Sequence, residues 1–149
     1  PPITLSRLYR KLKKQFRALF YLLLKDIWPQ GSVDLKVIRK YEGNLMLHMD
    51  QGLADLMIAN LLKNAIVHNK EEGTIVVETR EETLTIQNDG PPLQFSEEEL
   101  FTRFVRDTRR SGNFGLGLSL VKKVCESYNF LINYSFENQQ HTFVLKLKH

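Results

Sequence analysis

Apolar residues crowd the stretch LADLMIANLLKNAIVHN, residues 53–69, at the spacing of an α-helix. At about 100° per residue, Leu53, Leu56 and Met57 fall on one side and Ile58, Leu61, Leu62 and Ala65 on the other. A helix apolar on both sides is expected to lie between two layers. Asn60 and Asn64, spaced i and i+4, interrupt the pattern on one face, and His68 continues their row. A buried carboxamide without partners costs about 1–3 kcal/mol, so two of them one turn apart need a reason. They either cap neighbouring backbone or line a polar pocket, and the helix by itself leaves both readings open.

The rest of the pattern sets strands and short helices around this one. Ile3-Thr4-Leu5 reads as a short edge strand, followed by an amphipathic helix over residues 7–25. Trp28-Pro29-Gln30-Gly31 ends that helix with turn chemistry. Residues 33–41 and 45–49 alternate as strands, with Glu42-Gly43-Asn44 as a hairpin turn, and Asp50 is placed to cap the central helix. Strands follow at residues 74–79 and 84–88, then a helical turn with Ser96 ahead of Glu97-Glu98-Glu99. A second amphipathic helix begins at Leu116, and residues 130–136 and 142–148 form a closing hairpin around Asn138-Gln139-Gln140. Helices interleaved with strands predict an α+β domain. It is a two-layer α/β sandwich whose mixed, mostly antiparallel sheet is covered by helices on one face.

Three glycines punctuate SGNFGLGLSLVKKV, residues 111–124, where a loop runs into the helix at Leu116. Glycine lets a backbone approach a ligand closely, and a helix N-terminus offers unpaired N–H groups to phosphate. Four motifs now stand in a fixed order. They are NLLKNAIVH (residues 60–68), Asn88-Asp89-Gly90-Pro91-Pro92, Phe101-Thr102-Arg103-Phe104-Val105-Arg106, and GLGL (residues 115–118). This set resembles the N-box, first glycine box, F-box and second glycine box of the GHKL (Bergerat-fold) ATPase superfamily. Its nearest likeness is the catalytic ATP-binding domain of bacterial sensor histidine kinases.

The resemblance implies a Mg-ATP site. Asn64 would hold Mg²⁺, and Asn60 would lie near the phosphates or their water. His68 would stand beside the phosphates. The adenine side would be formed by Asn88, Gly90 and Leu93, with Asp89 the rival of Asn88 if the register slips, and the phosphate cradle by Gly115, Leu116, Gly117 and Leu118. Asn60 and Arg106 would serve catalysis, Arg106 by stabilising the transferring phosphoryl group. Residues 106–114 match the family's ATP lid; charged and poor in apolar anchors, they are expected to order around nucleotide. Mg²⁺ normally takes one or two protein oxygens, with phosphate and water completing its octahedron, so a single amide suffices. ATPase branches carry a Glu base at the position of Asn60; an amide cannot take the proton, which favours transfer over hydrolysis. Three departures from the pattern stand out: Asn88 at the adenine-binding Asp, Pro92 at a box glycine, and Val67 where relatives place Lys. They keep open a degenerate nucleotide-binding module, and the serine kinases of the anti-sigma-factor type remain a further alternative.

Composition adds limits. The chain of 149 residues, 42% hydrophobic and 26% charged, is expected to form one domain. No apolar run approaches the ~20 residues of a membrane span. Arg7, Arg10, Lys11, Lys13, Lys14 and Arg17 make the first helix basic, and the net charge is +4. This reads as a solvated face on a core helix, with no nucleic acid expected as partner. Cys125, the single cysteine, reads as a small core residue. The basic helix has no His, so the phosphoacceptor is expected on a helical hairpin elsewhere in a larger protein. That hairpin would also supply the homodimer contact. A response regulator would then be an indirect partner. The domain itself is expected in the cytoplasm, with its parent anchored in the inner membrane.

Overall fold

The computed structural model describes residues 3–4, 36–43, 45–70, 72–93, 96–102 and 116–147. The basic helix, the lid, Arg106 and Gly115 lie outside the described residues. The described residues form seven strands: β1 (Ile3–Thr4), β2 (Lys36–Tyr41), β3 (Met46–Leu47), β4 (Thr74–Thr79), β5 (Thr83–Asp89), β6 (Leu131–Glu137) and β7 (Gln140–Lys146). They also form three helices: α1 (Gln51–Val67), α2 (Glu97–Leu100) and α3 (Leu116–Ser127).

Strict alternation builds the main sheet. In β4, β5 and β7 every second residue is buried, which puts Ile75, Val77, Leu84, Ile86, Phe143 and Leu145 on the face beneath the helices. The strand order is β2-β4-β5-β7-β6, with β2 parallel to β4 and every other neighbour antiparallel. The closing hairpin turns on two residues, Asn138 (φ 52°) and Gln139 (φ 61°), rather than the three expected. Two left-handed residues match the twist of antiparallel strands.

The hairpin expected at residues 42–44 does not form. β2 lies beside β4, and β3 pairs instead with β1, Ile3 opposite Leu47. Gly43, at φ 71°, turns the chain off the sheet edge, and Leu45 and Leu47 are then buried in the core. Alternation marked both segments as strands but carried no information about which partner each would take.

The N-terminus of α1 is capped as expected, Asp50 Oδ1 accepting from the Leu53 N–H at 2.9 Å. Ala54, Met57, Ile58, Leu61, Ala65, Ile66 and Val67 are its buried residues, facing β5 and α3. Leu53 and Leu56 are each 37% exposed, so the described residues leave that arc of α1 uncovered. One arc of an apolar helix is enough to cover one sheet face. α2 carries the expected capping box, with Ser96 and Glu99 satisfying each other's backbone N–H groups. Phe101 closes it edge-on against Phe143, with ring centroids 6.1 Å apart.

Candidate functional site

The two motif-bearing helices meet at Asn60 and Gly117. The Asn60 amide nitrogen donates to the Leu56 carbonyl at 2.7 Å, which fixes the side chain along α1. Its oxygen then lies 2.7 Å from where a Cβ on Gly117 would stand. A side chain there would push Asn60 aside, and the contact brings the N-box to the second glycine box. One turn on, Asn64 is partly exposed, and its side-chain amide makes no hydrogen bond among the described residues. Burial lowers the Lys63 ammonium from its ordinary range. Leu118 is buried in the first turn of α3, which begins at Leu116.

The other half of the site is built at the end of β5. Asn88 is 1% exposed and points under the helices, while Asp89 points the other way. Asp89 is occupied: its carboxylate accepts from the Thr74 N–H at 2.9 Å and from the Gln140 amide at 3.2 Å. The nitrogen of Asn88 donates to the Asp89 carbonyl at 3.0 Å and to the His68 carbonyl at 3.4 Å. Its oxygen Oδ1 is buried with no hydrogen-bond partner. A buried acceptor left unpaired costs about 1–3 kcal/mol unless something supplies a donor.

Gly90 follows, with a Cβ position only 1.9 Å from the His68 carbonyl oxygen. No side chain fits between these two backbones. His68 itself caps α1, is 4% exposed, and lies with its ring 6.4 Å from that of His141. Leu93 packs on the core beyond the loop. Asn69 is a second buried amide, with a structural task, since its nitrogen donates to the Ala65 and Thr74 carbonyls. Of the expected site residues, Asn60 meets Gly117 at one end of the Asn60–His68 row on α1, and His68 meets Asn88 and Gly90 at the other.

Sequence reasoning passed over His141. It sits on β7 opposite Asn88, is 1% exposed, and bonds through Nε2 to the Pro91 carbonyl at 2.8 Å. The alternation of β7 does put His141 on the inner face with Phe143 and Leu145, and that was the available signal. Among the described residues no cluster of His, Cys, Asp and Glu could hold a metal ion.

The sequence pattern of the histidine kinase-, DNA gyrase B- and HSP90-like ATPases matches residues 49–149. The chain belongs to that family. Within it, the domain is of the catalytic ATP-binding kind found in two-component sensor histidine kinases. Sensor histidine kinase HprS of Escherichia coli (strain K12) is 33% identical over 130 residues, which is 83% of this chain and 29% of that protein. The chain thus spans less than a third of the length of this relative. Among solved structures, mycobacterial sensor histidine kinase MprB superposes with a TM-score of 0.75 at 17% identity, covering 99% of this chain and 97% of that one. Histidine kinase ThkA, in its complex with response regulator protein TrrA, gives 0.74 at 19% identity, covering 99% and 41%. These superpositions show the fold: a mixed five-stranded sheet with helices packed on it, as expected.

Proposed function

We propose that this domain binds Mg-ATP and transfers the γ-phosphoryl group to a His on a helical hairpin elsewhere in its parent protein. In this reading it is the cytoplasmic part of a sensor anchored in the inner membrane. A response regulator takes the phosphoryl group afterwards, and the ThkA–TrrA complex supports that choice of partner. The observation that carries the nucleotide reading is the buried, unpaired oxygen of Asn88. An adenine amino group is a donor of the right kind for that oxygen.

Asn64 would hold Mg²⁺ through its amide oxygen, the metal offsetting phosphate charge once bound. Gly117 and the N–H groups at the start of α3 suit phosphate oxygens. The Asn60 amide oxygen is too weak a base to take a proton from water, and its nitrogen is engaged by Leu56. That supports transfer to an external acceptor over hydrolysis. Calorimetry tests the reading. The wild-type domain should bind ATP with magnesium and much more weakly with chelator, and Asn64→Ala should erase most of that difference. Retention of full magnesium dependence in Asn64→Ala would refute the metal assignment. No ATP binding by the wild type would favour the degenerate-module reading.

A further inference from the structure

The nucleotide reading leaves the buried imidazole of His141 unused. We propose that His141, kept in a single tautomer by Tyr134, is the positioning residue of the adenine-binding loop, residues 90–93. The proposal rests on the reading that this loop receives adenine.

Pro91 and Pro92 have no N–H, and the Gly90 N–H is taken by the Gln139 carbonyl at 3.1 Å. A loop with so few donors has to be held through its carbonyls. The Pro91 carbonyl can only accept, so the His141 nitrogen 2.8 Å away, Nε2, carries the proton. In the neutral ring Nδ1 is then an acceptor, and the Tyr134 hydroxyl, 2.6 Å away, donates to it. With the opposite tautomer, a lone pair would face the carbonyl of Pro91.

The ring has little freedom to turn. Phe136 lies 4.6 Å from it between centroids, and Tyr134 stacks on it at 5.9 Å with planes 20° apart. Its Cδ2 stands 3.2 Å from the Cβ position of Gly90. One imidazole therefore touches the loop at Gly90 and bonds it at Pro91, while its strand pairs with Asn88. The position of the loop relative to the Asn88 oxygen is set by this ring. An apolar side chain of equal size would fill the space without holding the carbonyl.

The experiment compares His141→Phe, His141→Gln and Tyr134→Phe with wild type, reading ATP affinity by calorimetry and folding by thermal denaturation. Nitrogen-15 NMR of the wild-type domain adds the tautomer. We expect His141→Phe to stay folded and bind ATP about tenfold more weakly, the scale of one lost positioning hydrogen bond. His141→Gln restores a donor and should recover affinity to within about threefold of wild type. Tyr134→Phe keeps the ring and should fall between them, which preserves a test if His141→Phe does not fold. The NMR spectrum should show Nε2 protonated and Nδ1 as acceptor. Unchanged affinity in folded His141→Phe, no recovery in His141→Gln, or the opposite tautomer each overturns the proposal alone. A wild-type domain that does not bind ATP overturns the nucleotide reading, and this proposal with it.

Discussion

Asn88 stands where the resemblance expects an Asp, and its surroundings fix which way its amide faces. An Asn can in general turn its amide and offer either a donor or an acceptor. Here both groups next to its nitrogen are carbonyls, so a turned amide would set oxygen against oxygen. The unpaired atom is thereby fixed as an acceptor, as in the Asp that the resemblance expects. ATP should therefore bind at least about tenfold more tightly than GTP, which presents an acceptor at the same ring position. Competition binding measures this, and equal affinities would dismiss the pocket. Restoring the family residue should not be harmless. Asn88→Asp places carboxylate oxygen against the His68 and Asp89 carbonyls, and should lower stability by about 1–3 kcal/mol in chemical denaturation.

At the scale of elements, two glycines join helix to strand and helix to helix, and they should respond differently to the same methyl group. At Gly90 the added Cβ would run into the His68 carbonyl, which belongs to the capped end of α1 and cannot move independently. Gly90→Ala should cost several kcal/mol, about what overpacking of a rigid contact produces, and should be evident as a lowered melting temperature. At Gly117 the obstacle is the side chain of Asn60, which can turn aside by giving up its bond to Leu56. Replacing glycine inside a helix also gains about 1 kcal/mol. Gly117→Ala should thus leave the melting temperature nearly unchanged while weakening ATP binding, because Asn60 and the α3 entrance are displaced. A large loss of stability in Gly117→Ala, with ATP affinity intact, would contradict this account of the α1–α3 contact.

Across the whole molecule, α1 and α3 are sealed together by sulfur. Cys125 on α3 is 1% exposed and lies 3.9 Å from the Met57 sulfur of α1. Burial pushes its thiol up from 9.0 to about 11, with Lys122 opposing and Glu126 reinforcing the shift. The fold disfavours the thiolate, so the unfolded chain ionises first. This contribution to stability is complete below the unfolded value and is lost as pH rises towards the folded one, at up to about 1.4 kcal/mol per pH unit. Urea denaturation at about pH 8 and about pH 10.5 should show a steeper loss for wild type than for Cys125→Ala. Parallel losses would mean the thiol is not shielded by the helix pair. No helix among the described residues is long and apolar enough to cross a membrane.

The local pattern determined the things that depend on neighbours in sequence. Period-2 alternation fixed β4, β5 and the closing strands to within a residue or two, and Asp50 and Ser96 marked where helices start. Motif order was enough to reach the family and to single out Asn60, Asn64 and Asn88. Pairing and facing were decided by the tertiary structure, because they depend on residues far apart in the chain. Nothing in residues 42–49 says that β2 should pair in parallel with β4 while β3 goes to β1. The apolar wealth of α1 did not show which arc would meet the sheet and which would leave Leu53 and Leu56 exposed. Whether an Asn caps backbone or awaits a ligand is likewise a question of what stands within hydrogen-bond reach of each amide atom. Asn69 proved structural and Asn88 kept an open acceptor, although both are buried amides. His141 looked like an ordinary strand residue until the register of β5 and β7 set it opposite Asn88, under a loop that has almost no donors of its own.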